Sequence, residues 1–494
     1  MFLILFSIIF ILFIVFDTIF RFQNRKLSLL AKQVPGPWGL PFLGMWYTVI
    51  DGPKGFLRLT SNLVKKYGNI CRAWMGYSLY LVVSKPEDIE AILTNSVEKD
   101  YYLKFTSIFA GDGLFIAPAQ IWKHRRKLIN PTFNTKIVNS FHKKMVAKSN
   151  VLCKKLETRT SEDKYFDCYD SLFACTLDIL FETNLDFSVD FQNGQLPYYL
   201  KYMKRITRLV VLWMGKFWLH TNITFNHSNF GKKLMQETQY MKRISSNIIQ
   251  EKTLEIRKKL SDANYTGNKI QKPFLEHIIY AKESGFPISE TSVVNEVDTM
   301  IIAGSDTTAY VMSFALMALG VLQDIQDKVH EEIISVFGNS DRECTLDDIK
   351  SMQYLEMVIK ETMRLFAPTP LLARKVTTDV QLPNVIVPAN TNCIICVLEL
   401  HRSSDIYPDP LKFEPNRFLP EETAKRHPYA YIPFGGGARG CIGPKFAYLS
   451  MKIILTSILR KYKIYSDVNL ENIELKMELF LKPVNGFRIR LETR

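Results

Sequence analysis

The sequence predicts a mainly α-helical fold with small β-sheets, a single body behind an apolar amino-terminal anchor. Three observations carry this. Helical patterns dominate from about Gly113 to Leu260 and run strongly from Ile288 to Phe366. The β-branched and alternating runs are short and confined to Cys71–Val83 and Val376–Leu398, so no alternation of strands and helices builds a large parallel sheet. Residues 2–20 are almost wholly apolar, and no linker divides the rest of the 494-residue chain. With 47% hydrophobic and 23% charged residues the chain can bury a large core, which excludes disordered and low-complexity classes. No fixed-period repeat or sustained heptad run is present.

Phe2–Phe20 (FLILFSIIFILFIVFDTIF) is just long enough to span a hydrocarbon core. No Lys or Arg precedes it and no small-residue cleavage site follows, so a retained anchor is expected rather than a signal peptide. Arg21, Arg25, Lys26 and Lys32 come next and, by the positive-inside rule, stay cytosolic. Residues 21–44 read as a basic and proline-rich hinge, because three prolines and three glycines between Pro35 and Gly44 exclude helix there. The body is then 45–494. With that topology the sequons at Asn222, Asn226 and Asn264 face the cytosol and carry no glycan.

Within the body, Cys71–Val83 reads as a hairpin turning near Gly76. Val376–Leu398 reads as strands broken by Pro383, Pro388 and Asn390, Tyr407–Phe434 as irregular coil, and Pro444–Tyr462 as a final helix. Eight cysteines in a chain this long are not a disulfide scaffold. Cys393 and Cys396 form a CxxC on a strand-like run, where i and i+3 point to opposite faces, and read as strand core.

The segment Pro433–Gly443 is the most unusual. Gly435, Gly437 and Gly440 fit GxGxxG, but coil precedes them and Phe446–Lys463 holds no acidic residue, which opposes a dinucleotide site. Cys441 precedes a helix, where free amides and the helix dipole favour an anion. It reads either as a lone thiolate ligand, as on a haem iron, or as a buried cysteine in a glycine turn. Ala303–Thr308 (AGSDTT) interrupts an apolar helix with a carboxylate beside hydroxyls, which suggests a proton path or polar lining. Glu361 and Arg364 extend the inward stripe of Leu355 and Val358, so they form a buried pair, with Arg417 as a candidate third member. Trp122 and Arg126, one turn apart, could hold a carboxylate.

Together these residues resemble the cytochrome P-450 superfamily. The haem loop Phe-x-x-Gly-x-Arg-x-Cys-x-Gly is filled by Phe434, Gly437, Arg439, Cys441 and Gly443. The oxygen-helix motif, Glu-x-x-Arg (Glu361, Arg364), Pro-x-Arg-Phe (Pro415, Arg417, Phe418) and Trp-x-x-x-Arg (Trp122, Arg126) occur in the family order. The resemblance implies the cytochrome P-450 fold with one catalytic domain, and haem b held by the Cys441 thiolate. It also implies proton delivery by Thr307 with Asp306, propionate partners among Trp122, Arg126, Arg374 and Arg439, and a structural role for Glu361, Arg364 and Arg417. It further implies a monooxygenase acting on a lipophilic small molecule, fed by NADPH-cytochrome P-450 reductase, with cytochrome b5 as a second donor, in the endoplasmic reticulum membrane. The alternative is a reductase-independent haem-thiolate isomerase or dehydratase acting on an oxygenated lipid.

Glu296–Thr299 and Met352–Leu355 look like the branch with fatty-acid hydroxylases and many insect enzymes. That branch often carries a Glu that esterifies the haem. Ala303 stands there, so no covalent link is expected by that route. Ser305, Gly436, Ala438 and Gly440 also depart from its usual residues, so ω-hydroxylation is not implied. The net charge of +14 has no nucleic-acid motif behind it. Lys123, Arg125, Lys127, Lys445, Arg460 and Lys461 are expected to form a basic face for an acidic electron donor. Trp213, Met214, Phe217 and Trp218 read as core or as a second membrane contact.

Overall fold

The computed structural model describes residues 11, 14–20, 22–40, 43–262, 272–338 and 340–494. Most of the expected anchor lies outside the described residues, as do Arg21, Pro41, Phe42 and Asn264. Residues 14–20 are helical, and Ile14, Val15, Phe16 and Ile19 are exposed. The rings of Phe16 and Phe20 rest on Tyr77, with centroids 5.3 and 4.8 Å away. The 21–44 segment divides in two. Its basic part forms helix α1 (Arg25–Gln33), which buries Leu30 and Ala31. Its proline-rich part is tied to the first strand, where Arg72 N–H donates to the Pro35 carbonyl at 2.8 Å.

Helix α2 (Gly55–Tyr67) precedes a hairpin of β1 (Ile70–Met75) and β2 (Ser78–Val83). Gly76 supplies the positive φ, 63°, that a two-residue turn needs. Strands β3 (Leu371–Lys375) and β4 (Asn392–Cys396) complete a four-stranded sheet in the order β1-β2-β4-β3. β4 runs parallel to β2 and antiparallel to β3. Side chains alternate as the strand period demands. Leu81, Val83 and Cys393 join one buried cluster, while Tyr80, Val82 and Cys396 join another. Both cysteines of the CxxC are therefore core, and burial pushes both thiols far up. The proline-broken stretch between β3 and β4 keeps only the two-residue strands Val380–Gln381 and Ile386–Val387. Val397 and Leu398, expected in the strand run, instead open a short helix, Val397–His401.

The larger part of the body is helical. Helices α3 (Ala119–Ile129), α4 (Tyr169–Leu180), α5 (Pro197–Gly215), α6 (Asn229–Ser261) and α7 (Glu290–Val321) follow; α4 and α6 pack directly on α7, α5 packs on α6, and α3 reaches α7 through Arg125. α7 is the one described helix long and apolar enough to cross a membrane, but 83% of its apolar window is buried, so it is the core helix. Ser289 caps its N-terminus by accepting the Ser292 N–H. Gly304 allows α4 to close on it, because a Cβ there would sit 2.5 Å from Leu180 Cδ1. Helix α8 (Gln353–Leu365) and the final helix α9 (Pro444–Lys461) flank α7, and the hairpin β5 (Leu475–Glu478) and β6 (Phe480–Pro483) covers one end.

Glu361 and Arg364 on α8 are fully buried. Arg364 Nε and Nη2 donate to the two Glu361 carboxylate oxygens at 2.7 and 2.8 Å. Nη1 donates to the carbonyls of His401 and Pro410, and Nη2 also to Lys412. All five guanidinium donors are thus used. Arg417 Nε lies 3.6 Å from Glu361 Oε1, which also accepts the Glu414 N–H at 2.7 Å. Removing one partner of such a pair costs about 3–5 kcal/mol, because the other charge stays buried and alone. That is a large share of the roughly 5–15 kcal/mol a fold has in hand. Glu361→Ala is therefore expected to lower the unfolding midpoint sharply, whereas Lys350→Ala, which breaks an exposed pair with Asp347, leaves it within about 0.5 kcal/mol of wild type. Equal midpoints for the two variants in chemical unfolding would contradict this.

Candidate functional site

The chain enters the cysteine loop through Ile432, whose N–H donates to His401 Nε2 at 2.9 Å. The His401 carbonyl already holds Arg364, so the buried ion pair and the loop share one residue. The loop then closes on itself. Gly435 N–H donates to the Ile432 carbonyl at 2.9 Å, Gly440 to Gly437 at 3.1 Å, and Cys441 to Phe434 at 2.8 Å. Gly437 takes a φ of 63°, and a side chain on it would sit 2.1 Å from the Leu93 carbonyl oxygen. The Phe434 ring lies against Tyr448. Pro444 starts α9 at its first helical position, which needs no N–H.

Cys441 is the one exposed cysteine of the eight; the other seven are buried. Its Sγ accepts the Gly443 N–H at 3.3 Å. Arg126 Nη1 and Nη2 hold the Gly440 and Cys441 carbonyls at 2.9 and 3.3 Å. Burial raises the Cys441 thiol pKa, while the Gly443 N–H, Arg126 and the Ile442 N–H pull it down. Cys441 is thus accessible at its surface yet surrounded by enough protein for burial to dominate its pKa.

Above the loop, cations gather without ion pairs among the described residues, and Glu98 acts on Arg439 only from beyond pairing distance. Arg374 on β3 is buried, its Nε has no partner, and burial lowers its pKa to about 10. Lys99 is pushed well below its ordinary value by burial, then by Arg374 and Arg439. The Arg439 pKa falls to about 10, mainly through burial. No salt bridge holds Lys99, Arg126, Arg374 or Arg439 among the described residues. Arg439 differs from Arg374 in spending its donors on backbone: Nε on Val97 at 2.9 Å, Nη1 on Leu114 at 3.4 Å and Nη2 on Ala117 at 2.5 Å. Its guanidinium stacks 4.4 Å over the Trp122 ring. The structure thus leaves Arg374 and Lys99 the freest donors, with Arg126 Nε also buried and unpartnered. Buried cations without carboxylates fit an anionic ligand, and the two propionates of a haem supply one. Lys99 was not among the sequence candidates; the Val97–Asp100 stretch has no spacing that would single it out.

On α7, Ala303 is exposed and Thr307 half-buried one turn apart, in a helix otherwise almost wholly buried. Thr307 Oγ1 donates back to the Ala303 carbonyl at 2.7 Å. Asp306 faces elsewhere. It is buried and accepts from Tyr169 Oη, its Oδ2 has no partner, and Tyr310 stacks on Tyr169 at 4.7 Å. Burial raises its pKa, opposed by Lys482, which sits over both tyrosine rings. Asp306 and Thr307 are adjacent in sequence but do not share a helix face. The short polar residues that punctuate α7 bond their own preceding turn, Ser305 to Ile301 and Thr308 to Gly304, which satisfies them inside an apolar helix.

The expected basic face needs two corrections. Arg125 turns inward, holding Asp112 at 2.8 Å and Glu296 at 3.0 Å. It clamps the 111–117 loop to α7, and burial raises the Glu296 pKa to about 7. Arg460 is partly buried and binds the Ser340 and Arg342 carbonyls. Lys123, Lys127, Lys445 and Lys461 remain exposed. The aromatic run also divides. Trp213 stacks on Phe225 at 3.9 Å and donates to the Leu219 carbonyl, whereas Trp218 and Ile223 are exposed.

The "Cytochrome P450" family model matches residues 34–490. The chain is 33% identical to "Cytochrome P450 4c3" of Drosophila melanogaster, over 97% of this chain and 93% of that one. It is 30% identical to "Cytochrome P450 4g15" of the same organism, over 96% and 94%. It is 34% identical to "Cytochrome P450 4V2" of Mus musculus, over 86% and 82%. A helical body, a glycine loop that presents one accessible cysteine, and a cluster of unpaired cations agree with these matches: the chain belongs to the cytochrome P450 family, an enzyme of the monooxygenase class that carries haem through a cysteine thiolate.

Proposed function

We propose that the chain is a membrane-anchored monooxygenase that inserts one oxygen atom from O2 into a lipophilic small molecule, drawing electrons from NADPH-cytochrome P450 reductase. The observation that carries this reading is the accessible Cys441 below unpaired buried cations, on an element that packs against α7, where Ala303 and Thr307 are the accessible residues. Cys441 is the iron ligand in this reading. Arg374, Lys99 and Arg126 hold the propionates, and Trp122 and Arg439 brace them. When bound, the haem supplies the oxygen activation that a thiolate ligand favours.

The chain's own groups then do three things. The Gly443 N–H and Arg126 reduce the cost that burial sets on a Cys441 anion, which a bound iron would then hold. Thr307 Oγ1, released from the Ala303 carbonyl, presents its proton to the space. Asp306, turned from Thr307 onto Tyr169 beneath Lys482, steadies α7 from its other face. Ile302 and Ala303 keep the wall apolar, which suits a lipophilic substrate. The exposed lysines at 123, 127, 445 and 461 lie on the elements behind Cys441 and suit an acidic donor such as the reductase or cytochrome b5. In this reading the enzyme is a single-pass protein of the endoplasmic reticulum with a cytosolic body, supported by the apolar amino-terminal segment and the basic residues that follow it.

The decisive experiment is turnover of a candidate lipophilic substrate with and without reductase and NADPH. Oxygenated product only in the complete mixture is expected, and reductase-independent isomerisation or dehydration would replace the proposal. Cys441→Ala is expected to abolish product formation and to remove the thiolate-type band of the reduced carbon-monoxide complex; a retained band would refute the ligand assignment. Arg374→Gln removes a charged hydrogen bond, so affinity of the apoprotein for hemin should fall roughly 10- to 100-fold. Unchanged affinity in a hemin titration would move the propionates elsewhere.

A further inference from the structure

A cavity lies away from the cysteine loop, between the start of the body and helix α2. It has a volume of about 680 Å³. Met45, Leu59 and Leu63 give it an apolar floor, and Arg58, Lys66 and Asp51 line it as well. Arg58 uses one Nη on Asp51. Lys66 is exposed and has no carboxylate partner among the described residues. An apolar trough edged by an ammonium that has, among the described residues, only the Tyr67 ring, 5.4 Å away, and by a guanidinium with one Nη on Asp51 matches the two ends of an anionic amphiphile.

The position of the groove says where such a molecule comes from. Its lining includes Pro37 of the proline-rich segment. Met45 N–H donates to the Trp74 carbonyl at 2.6 Å, beside the β1–β2 turn on which Phe16 and Phe20 rest. Exposed apolar side chains continue outward from it: Trp38 at 87%, Leu40, Tyr47 and Ile50. This end of the body is therefore the one joined to the apolar amino-terminal helix. We infer that the groove binds one acyl chain of an anionic membrane phospholipid, whose head group meets Lys66 and Arg58 at the rim. This rests on the membrane reading above.

The test uses the full-length haem-loaded protein in phospholipid nanodiscs. The probes are a phosphatidylserine and a phosphatidylcholine, each with a photoreactive acyl chain, followed by peptide mapping. Label within residues 45–67 is expected, and stronger for the serine head group. Removing both cations (Arg58→Gln with Lys66→Gln) should lower the serine signal about five-fold per cation, to the choline level. Leu59→Trp, which fills the floor, should lower both signals; an unchanged carbon-monoxide band confirms that each variant is folded. Equal labelling by the two lipids overturns the inference, as does label confined to residues 14–20 and 218–223. A protein that does not associate with the discs and takes no label anywhere fails the membrane reading itself, and the groove assignment with it.

Discussion

The fully satisfied pair of Glu361 and Arg364 is the constraint on which the rest is built. A buried guanidinium is tolerable only when each N–H has an acceptor, and here the acceptors come from α8 and from backbone at 401, 410 and 412. One side chain thereby fixes a long stretch of chain with little regular structure. His401, held through its carbonyl, fixes Ile432 through its ring. Two further backbone bonds reach Cys441. The sulfur is positioned by a ladder that starts in an ion pair, which is why a coil can hold a ligand as firmly as a helix would.

The cation cluster above the loop follows the opposite rule. Arg374 keeps one backbone bond and an orphaned Nε, and Lys99 has neither ion pair nor carboxylate. Other buried cations of this body are matched: Arg125 with Glu296, Lys252 with Asp186, Lys452 with Glu356, Lys482 with Glu478. The unmatched ones mark where the chain alone does not complete its electrostatics. A dianionic group that enters there relieves repulsion among neighbours already held in place, so its binding and the folding of this region reinforce one another.

Much of this was legible from the sequence for physical reasons. The core character of Cys393 and Cys396 follows from the strand period, and the inward aim of Glu361 from the stripe of Leu355 and Val358. The hairpin at Gly76 needed a residue free to take positive φ, and the chain supplies one. Other features have no local signature. Arg125 sits among the exposed Lys123, His124 and Lys127, and only the partners brought by the 111–117 loop and α7 reveal that it is buried. His401 and Lys99 acquire their roles from residues far away in sequence. Adjacent letters also mislead on a helix, where Asp306 and Thr307 are turned about a quarter-circle apart. Arg439, expected with the propionate partners on its motif, also puts three of its five donors on backbone carbonyls, which spacing cannot foretell.

His401 carries one more consequence. To accept the Ile432 amide, its Nε2 must be bare, so the ring is neutral with its proton on Nδ1, turned toward the backbone of Met363 and Arg364. Burial, then the Arg364 charge, drives its pKa down to about 3. Histidine is usually the residue by which a protein senses acidity. This one is deaf to it: the tautomer that holds the cysteine loop is the only one available across the whole physiological range, and the seat of the sulfur stays the same in an acidified compartment as in the cytosol.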